Sequence, residues 1–196
     1  MVCSMTIGSS SCRLVLSKAD APILEPVTKL GGQPAWVDKP QWPLSAALRT
    51  PMTFLGQFRL PGEEVRMAYL FMTGGDDYVD GTWEGEGGEN ALIVQPGRVP
   101  SFITVTDDAE GPTMSDDLAV DLVPTSPAEL EKGWDNRLGG PPTWLQDEEF
   151  PPGDWSFLFQ LEGSDALYDV NFGDAGVGYG FLDADGSEGR FLWQCS

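Results

Sequence analysis

Arg137-Leu138-Gly139-Gly140-Pro141-Pro142-Thr143-Trp144-Leu145 restates a phrase met earlier in the same chain, Lys29-Leu30-Gly31-Gly32-Gln33-Pro34-Ala35-Trp36-Val37. Each runs from a basic residue and Leu into Gly-Gly-x-Pro-x-Trp, then through an acidic stretch to an aromatic-Pro pair, Trp42-Pro43 or Phe150-Pro151. Three further blocks answer one another downstream. Met52-Thr53-Phe54-Leu55-Gly56-Gln57-Phe58 matches Trp155-Ser156-Phe157-Leu158-Phe159-Gln160-Leu161, Met67 to Met72 matches Val177 to Leu182, and Ala91 to Gln95 matches Arg190 to Gln194. Four blocks in one order with unequal spacers mark an internal duplication. The expected layout is a single domain over 1–196, with one repeat over about 29–95, a connecting segment over about 96–136 and a second repeat over about 137–194. Residues 1–11 are small and polar, as a poorly held chain end is.

The 24 Gly and 16 Pro punctuate short apolar runs, which argues for strands between turns. Thr53 to Leu60 and Ser156 to Leu161 are apolar at consecutive positions, as strands covered on both faces are. Cys12 to Ser17, Met67 to Thr73, Ala91 to Gln95, Ser101 to Thr106, Val177 to Leu182 and Arg190 to Cys195 read as further strands, and Asp121-Leu122-Val123-Pro124 closes the first half. One helix start is legible, with Ser126 as N-cap, Pro127 in the first position and Glu129 three residues on; it ends by Gly133. The expected class is therefore mainly β, with antiparallel or mixed sheets and one or two short helices.

With these blocks, Phe172-Gly173-Asp174-Ala175-Gly176 and the closing Leu192-Trp193-Gln194-Cys195, the chain resembles the YwqG-like bacterial family of unknown function, from about Lys29 to Ser196. The first phrase also resembles the opening of programmed cell death protein 2. The first resemblance implies a duplicated β-roll-like fold of two pseudo-symmetric repeats. The second implies an escort role toward a basic ribosomal protein. That relative carries a cysteine-rich zinc insertion after its opening phrase, whereas Pro40 to Pro51 contains no Cys, so the zinc-dependent part does not carry over.

Charge narrows the partners. Asp and Glu number 31 against 11 Lys and Arg, a net of −20, and such a surface repels the phosphates of nucleic acids and anionic lipids. The expectation is no nucleic-acid and no membrane partner, with a basic protein as the partner that the field would steer in. Cys3, Cys12 and Cys195 are an odd set without a Cys-x-x-Cys pair, which fits free thiols in a reducing compartment. No signal-peptide pattern or apolar span is present, so a cytoplasmic location is expected.

The chemistry-bearing residues are few. With no His, the Ser-His-Asp and Cys-His arrangements are impossible. Gly85-Glu86-Gly87-Gly88 is acidic and unsuited to phosphate. No cofactor and no catalytic residue are indicated. Trp36 and Trp144 read as core plugs of their repeats. Gln57 and Gln160, inside apolar runs, must bond buried groups such as the backbone of the Gly-Gly phrase, with ligand contact as the other reading. Asp174 reads as a turn-former or as a ligand-facing residue. Asp183-x-Asp185-x-Ser187 alternates oxygen ligands in the manner of a weak calcium site, although a hairpin turn explains it fully.

Two functions are open on this reading. One is a non-enzymatic acidic protein-binding module, an escort, antitoxin or immunity-type protein for a basic client. The other is a small-molecule-binding protein or enzyme with a pocket at the seam between the repeats, using Trp36, Gln57, Trp144, Gln160 and Asp174.

Overall fold

The computed structural model describes residues 11–74, 79–126 and 135–196. Twelve strands are found among them: β1 (Ser11–Lys18), β2 (Lys29–Leu30), β3 (Trp42–Leu44), β4 (Thr53–Arg59), β5 (Met67–Met72), β6 (Asn90–Gln95), β7 (Thr104–Thr106), β8 (Leu118–Thr125), β9 (Arg137–Leu138), β10 (Trp155–Glu162), β11 (Val177–Asp183) and β12 (Gly189–Gln194). Ten of them form one sheet in the order β12-β11-β10-β9-β1-β8-β2-β4-β5-β6, and β3 pairs with β7 apart from it. Every ladder between these strands is antiparallel, so the sheet is not mixed. No helix occurs among the described residues, and the expected helix after Ser126 falls on 127–134, outside them.

Strand character follows burial. In β1 and β8 the residues alternate. Leu14 pairs with Leu122 and Leu16 with Val120 on the inner face, while Val15 and Val123 lie exposed on the other. That is the period-two pattern of a half-buried pair. β5 and β6 are instead buried at every position, which requires a layer on each face. The inner face meets the main core, where Phe58 stacks on Phe159 with ring centroids 3.9 Å apart and Phe159 faces Phe191 at 6.2 Å. The outer face of β5 and β6 is covered by Trp36, Val37 and Trp42, and that of β11 and β12 by Trp144, Leu145 and Trp155.

The sheet curls until its two edges meet, giving a nearly closed barrel. A Cβ on Gly189 of β12 would overlap the carbonyl oxygen of Leu92 in β6, so glycine is what lets the backbones touch. Beyond the strands, Arg98 N donates to Ser187 O at 2.7 Å and the Arg66 guanidinium donates to Gly186 O. The meeting of the two edges covers the exposed edge strands, the weak point of an open sheet.

Two bulges bend the sheet. The β4–β5 register slips between Phe54 and Gly56, and the β10–β11 register between Phe157 and Phe159. The carbonyls of the bulged residues, Leu55 and Leu158, accept Gly31 N at 2.9 Å and Gly139 N at 2.7 Å. Each Gly-Gly pair has positive φ, 63° and 60° at Gly31 and Gly32, 75° and 74° at Gly139 and Gly140, a conformation that a side chain would strain.

The region expected to connect the repeats does more than connect. It supplies β7 and also β8, which lies at the centre of the sheet between β1 and β2. Pro124 is tolerated there because β2 pairs only with Leu118 and Ala119, leaving the Pro124 end open on that side. The first described strand includes Ser11, which is buried.

Candidate functional site

The Gly-Gly phrases are tied down by three side chains each. Gln57 Oε1 accepts Ala35 N at 2.8 Å while its Nε2 donates to Val27 O at 2.8 Å. The Tyr69 hydroxyl accepts Val37 N at 3.0 Å and donates to Ala35 O at 2.9 Å. Gln95 Oε1 accepts Asp38 N at 3.2 Å, and its Nε2 donates to Lys39 O at 2.8 Å. In the second half Gln160 Oε1 accepts Thr143 N at 3.0 Å, and Tyr179 accepts Leu145 N at 2.9 Å and donates to Thr143 O at 3.0 Å. Gln194 accepts Gln146 N at 3.0 Å and donates to Asp147 O at 2.9 Å. Burial pushes the Tyr179 phenol up to about 12, against the bond from Leu145 N and the charge of Arg137, and raises Tyr69 in the same sense.

Trp36 and Trp144 cap these knots. Trp36 lies 4.7 Å from the Tyr69 ring, stacks on Phe71 at 6.1 Å and donates its indole N–H to Ala109 O at 2.9 Å. Trp144 lies 4.7 Å from Tyr179 and stacks on Phe181 at 6.2 Å. The four residues thus form two separate knots on the outer faces of the sheet. Asp174 is exposed in the turn before β11, where its carbonyl accepts the Ser196 N–H at 3.0 Å. Tyr69, Tyr179, Gln95 and Gln194 were within reach of sequence reasoning, because the matched blocks place them at equivalent positions; only the pleat that turns them toward the phrase was missing.

Arginine occupies the calcium candidate. Arg98 donates to Asp183 and, at 2.9 Å, to Asp185, with Glu188 at 3.6 Å, and Asp183 Oδ1 caps the hairpin by accepting Ser187 N at 2.8 Å. Among the described residues no group of three or more acidic or Cys side chains is placed to hold a metal ion.

Each phrase opens on a fully buried base. Lys29 Nζ donates to Ile23 O at 2.9 Å, to Gln33 O at 2.7 Å and to Asp117 Oδ1 at 2.5 Å, which satisfies the three protons of the ammonium. Arg137 is 1% exposed and donates from Nη2 to Pro141 O at 2.5 Å and to Thr143 Oγ1 at 2.8 Å. Among the described residues its Nε and Nη1 have no hydrogen-bond partner, and burial lowers its pKa against the opposing charge of Asp135. Comparison with known proteins finds no matching family model, no matching curated protein and no matching solved structure.

The described residues also line concavities, two of which bear on function. One is a groove of about 620 Å³ whose wall is laid down by Lys29, since Ile23, Gln33 and Asp117, the three acceptors of its ammonium, all line it. Asp20, Glu110 and Asp116 are exposed along it, and Leu24 stands at its rim, 79% exposed. No Lys or Arg is among the described residues that line this groove. The other is a cavity of about 500 Å³ at the seam of the two halves, with Thr53, Leu55 and Met72 on one side and Asp169 to Asn171 and Trp193 on the other. None of Trp36, Gln57, Trp144, Gln160 and Asp174 lines it. Among the described residues no helix is long and apolar enough to cross a membrane.

Proposed function

We propose that this chain is a non-enzymatic acidic module that binds a basic protein in the cytoplasm, as an escort, antitoxin or immunity-type protein does. The groove above Lys29 is where the client's basic side chains enter. The observation that carries this reading is the unequal use of charge. Of 11 Lys and Arg, seven (Lys29, Lys39, Arg59, Arg66, Arg98, Arg137 and Arg190) bond a carboxylate or a carbonyl of the chain itself. The carboxylates outnumber the bases, and Asp20, Glu110 and Asp116 face solvent along a groove that also offers the exposed Leu24. A field of that sign speeds encounter with a basic partner, and an apolar group beside it supplies contact area.

The scaffold belongs to the same proposal. Two units of one design, fused and closed on each other in the YwqG-like manner as a duplicated β roll, account for the paired phrases, bulges and tyrosine knots. Asp116 and Asp117 stand beside the first phrase and line its groove.

Affinity capture from the protein's own cells tests the function. The wild-type chain is expected to retain one basic protein at low salt and release it at moderate salt, and Asp20→Asn/Glu110→Gln/Asp116→Asn is expected to retain none. Equal retention by that variant would refute the groove.

A further inference from the structure

We propose that the seam cavity is a binding site for a small organic cation with an apolar body, an alkyl- or arylammonium. The site is independent of the acidic groove. Its volume, about 500 Å³, is that of a pocket for a drug-sized ligand. Leu55, Met72 and Met114 supply apolar wall, and Trp83 and Trp193, adjacent through a Trp193 N to Trp83 O bond of 3.4 Å, bring two indoles. Trp83 is 45% exposed, so part of a large aromatic surface is left uncovered at the mouth.

The charge of the lining decides the class of ligand. Asp169 is its one ionisable side chain among the described residues, and it forms no ion pair among them. No Lys or Arg is among the described residues that line the cavity, and none of those residues is a cation that would hold a carboxylate or a phosphate. The described lining, one carboxylate among indoles and thioethers, is also a poor set for a hard metal ion, which takes six or so oxygens. Indole faces and a lone carboxylate suit a weakly hydrated ammonium, which gains from the ring quadrupole as well as from the charge. The net charge of −20 raises the local concentration of any cation.

The test is a titration of the whole chain, followed by tryptophan fluorescence and calorimetry. The probes are benzyltrimethylammonium, its neutral analogue benzyl alcohol and the anion benzoate. Saturable binding of the ammonium is expected, with the other two at least about tenfold weaker. Asp169→Asn and Trp83→Ala are each expected to weaken it about fivefold to tenfold, the scale of one cation–π or charge contact. Both positions are exposed, so unchanged melting temperatures will separate lost binding from lost folding. No saturable binding of the ammonium at millimolar concentration, equal binding of the three probes, or an affinity unmoved by both substitutions would each overturn the site.

Discussion

Arg137 and Lys29 are both buried bases, but their partners differ. In the sheet Lys29 lies opposite Ala119, and two residues before Ala119 stands Asp117, its counter-ion. Arg137 lies opposite Arg13, and two residues before Arg13 stands Ser11, whose Oγ, like Arg137 Nε and Nη1, has no partner among the described residues. Ser11→Asp should therefore supply the missing carboxylate and raise stability by about 1.5 kcal/mol or more, as a charge-assisted hydrogen bond does. Urea unfolding measures it, and a fall in stability would show that Ser11 does not face the guanidinium. The tyrosine knots make a second prediction. A phenol titrates near 10 in an unfolded chain, while Tyr179 is held up to about 12 by burial. The folded state then keeps its proton longer than the unfolded one. The stability from this group is whole below about pH 10 and is lost as pH rises toward 12. Tyr179→Phe should flatten the fall in melting temperature over that window while lowering stability at neutral pH by about 1–3 kcal/mol, because Leu145 N–H and Thr143 C=O lose their partner.

At the scale of elements, core volume is exchanged between strands. Gly56 pairs with Leu70 in β4 and β5, whereas Phe159 pairs with Gly180 in β10 and β11. A Cβ on Gly180 would overlap the Phe159 ring, which is already stacked on Phe58. Gly180→Ala should thus cost about 1–3 kcal/mol by overpacking, and Leu70→Ala should be destabilising by leaving a cavity instead. A Gly180→Ala variant as stable as wild type in denaturant would contradict this account of the core. The strands of both meanders were legible because consecutive apolar residues have one explanation, cover on both faces, and Trp36 and Trp144 supply the outer cover. β2 and β9 were not, since two residues carry no period. β8 was hidden by Asp121 and Pro124, which break a strand pattern locally but sit where the side facing β2 is unpaired. Gln57 and Gln160 could be read as buried amides from their flanks alone. Lys29 could not be read as buried, because its counter-ion Asp117 stands 88 residues away and Ile23 and Gln33 accept from it through backbone carbonyls that no side-chain pattern reveals.

The ten-stranded sheet is a nearly closed barrel whose meeting edges are bridged by arginines. Arg190 lies 4.7 Å from the Phe102 ring and 4.8 Å from Trp155, bonds Glu188 at 2.6 Å and reaches Glu86 at 3.1 Å. Arg98 joins the turn after β6 to the β11–β12 hairpin. The bases thus close the fold, and the surplus of acid is left to face outward. Neither concavity could be read in the sequence, since the walls of each come from several separated segments. The claim that the groove, and not diffuse negative charge, receives the client is tested most directly by NMR. Isotope-labelled protein is titrated with a short peptide alternating Arg and Leu, and amide shifts are followed. The account predicts saturable shifts confined to Ala19–Leu24, Gly32, Gln33 and the 110–117 turn, reduced as salt is raised. Shifts spread evenly over the acidic surface, or none in that groove, would contradict it.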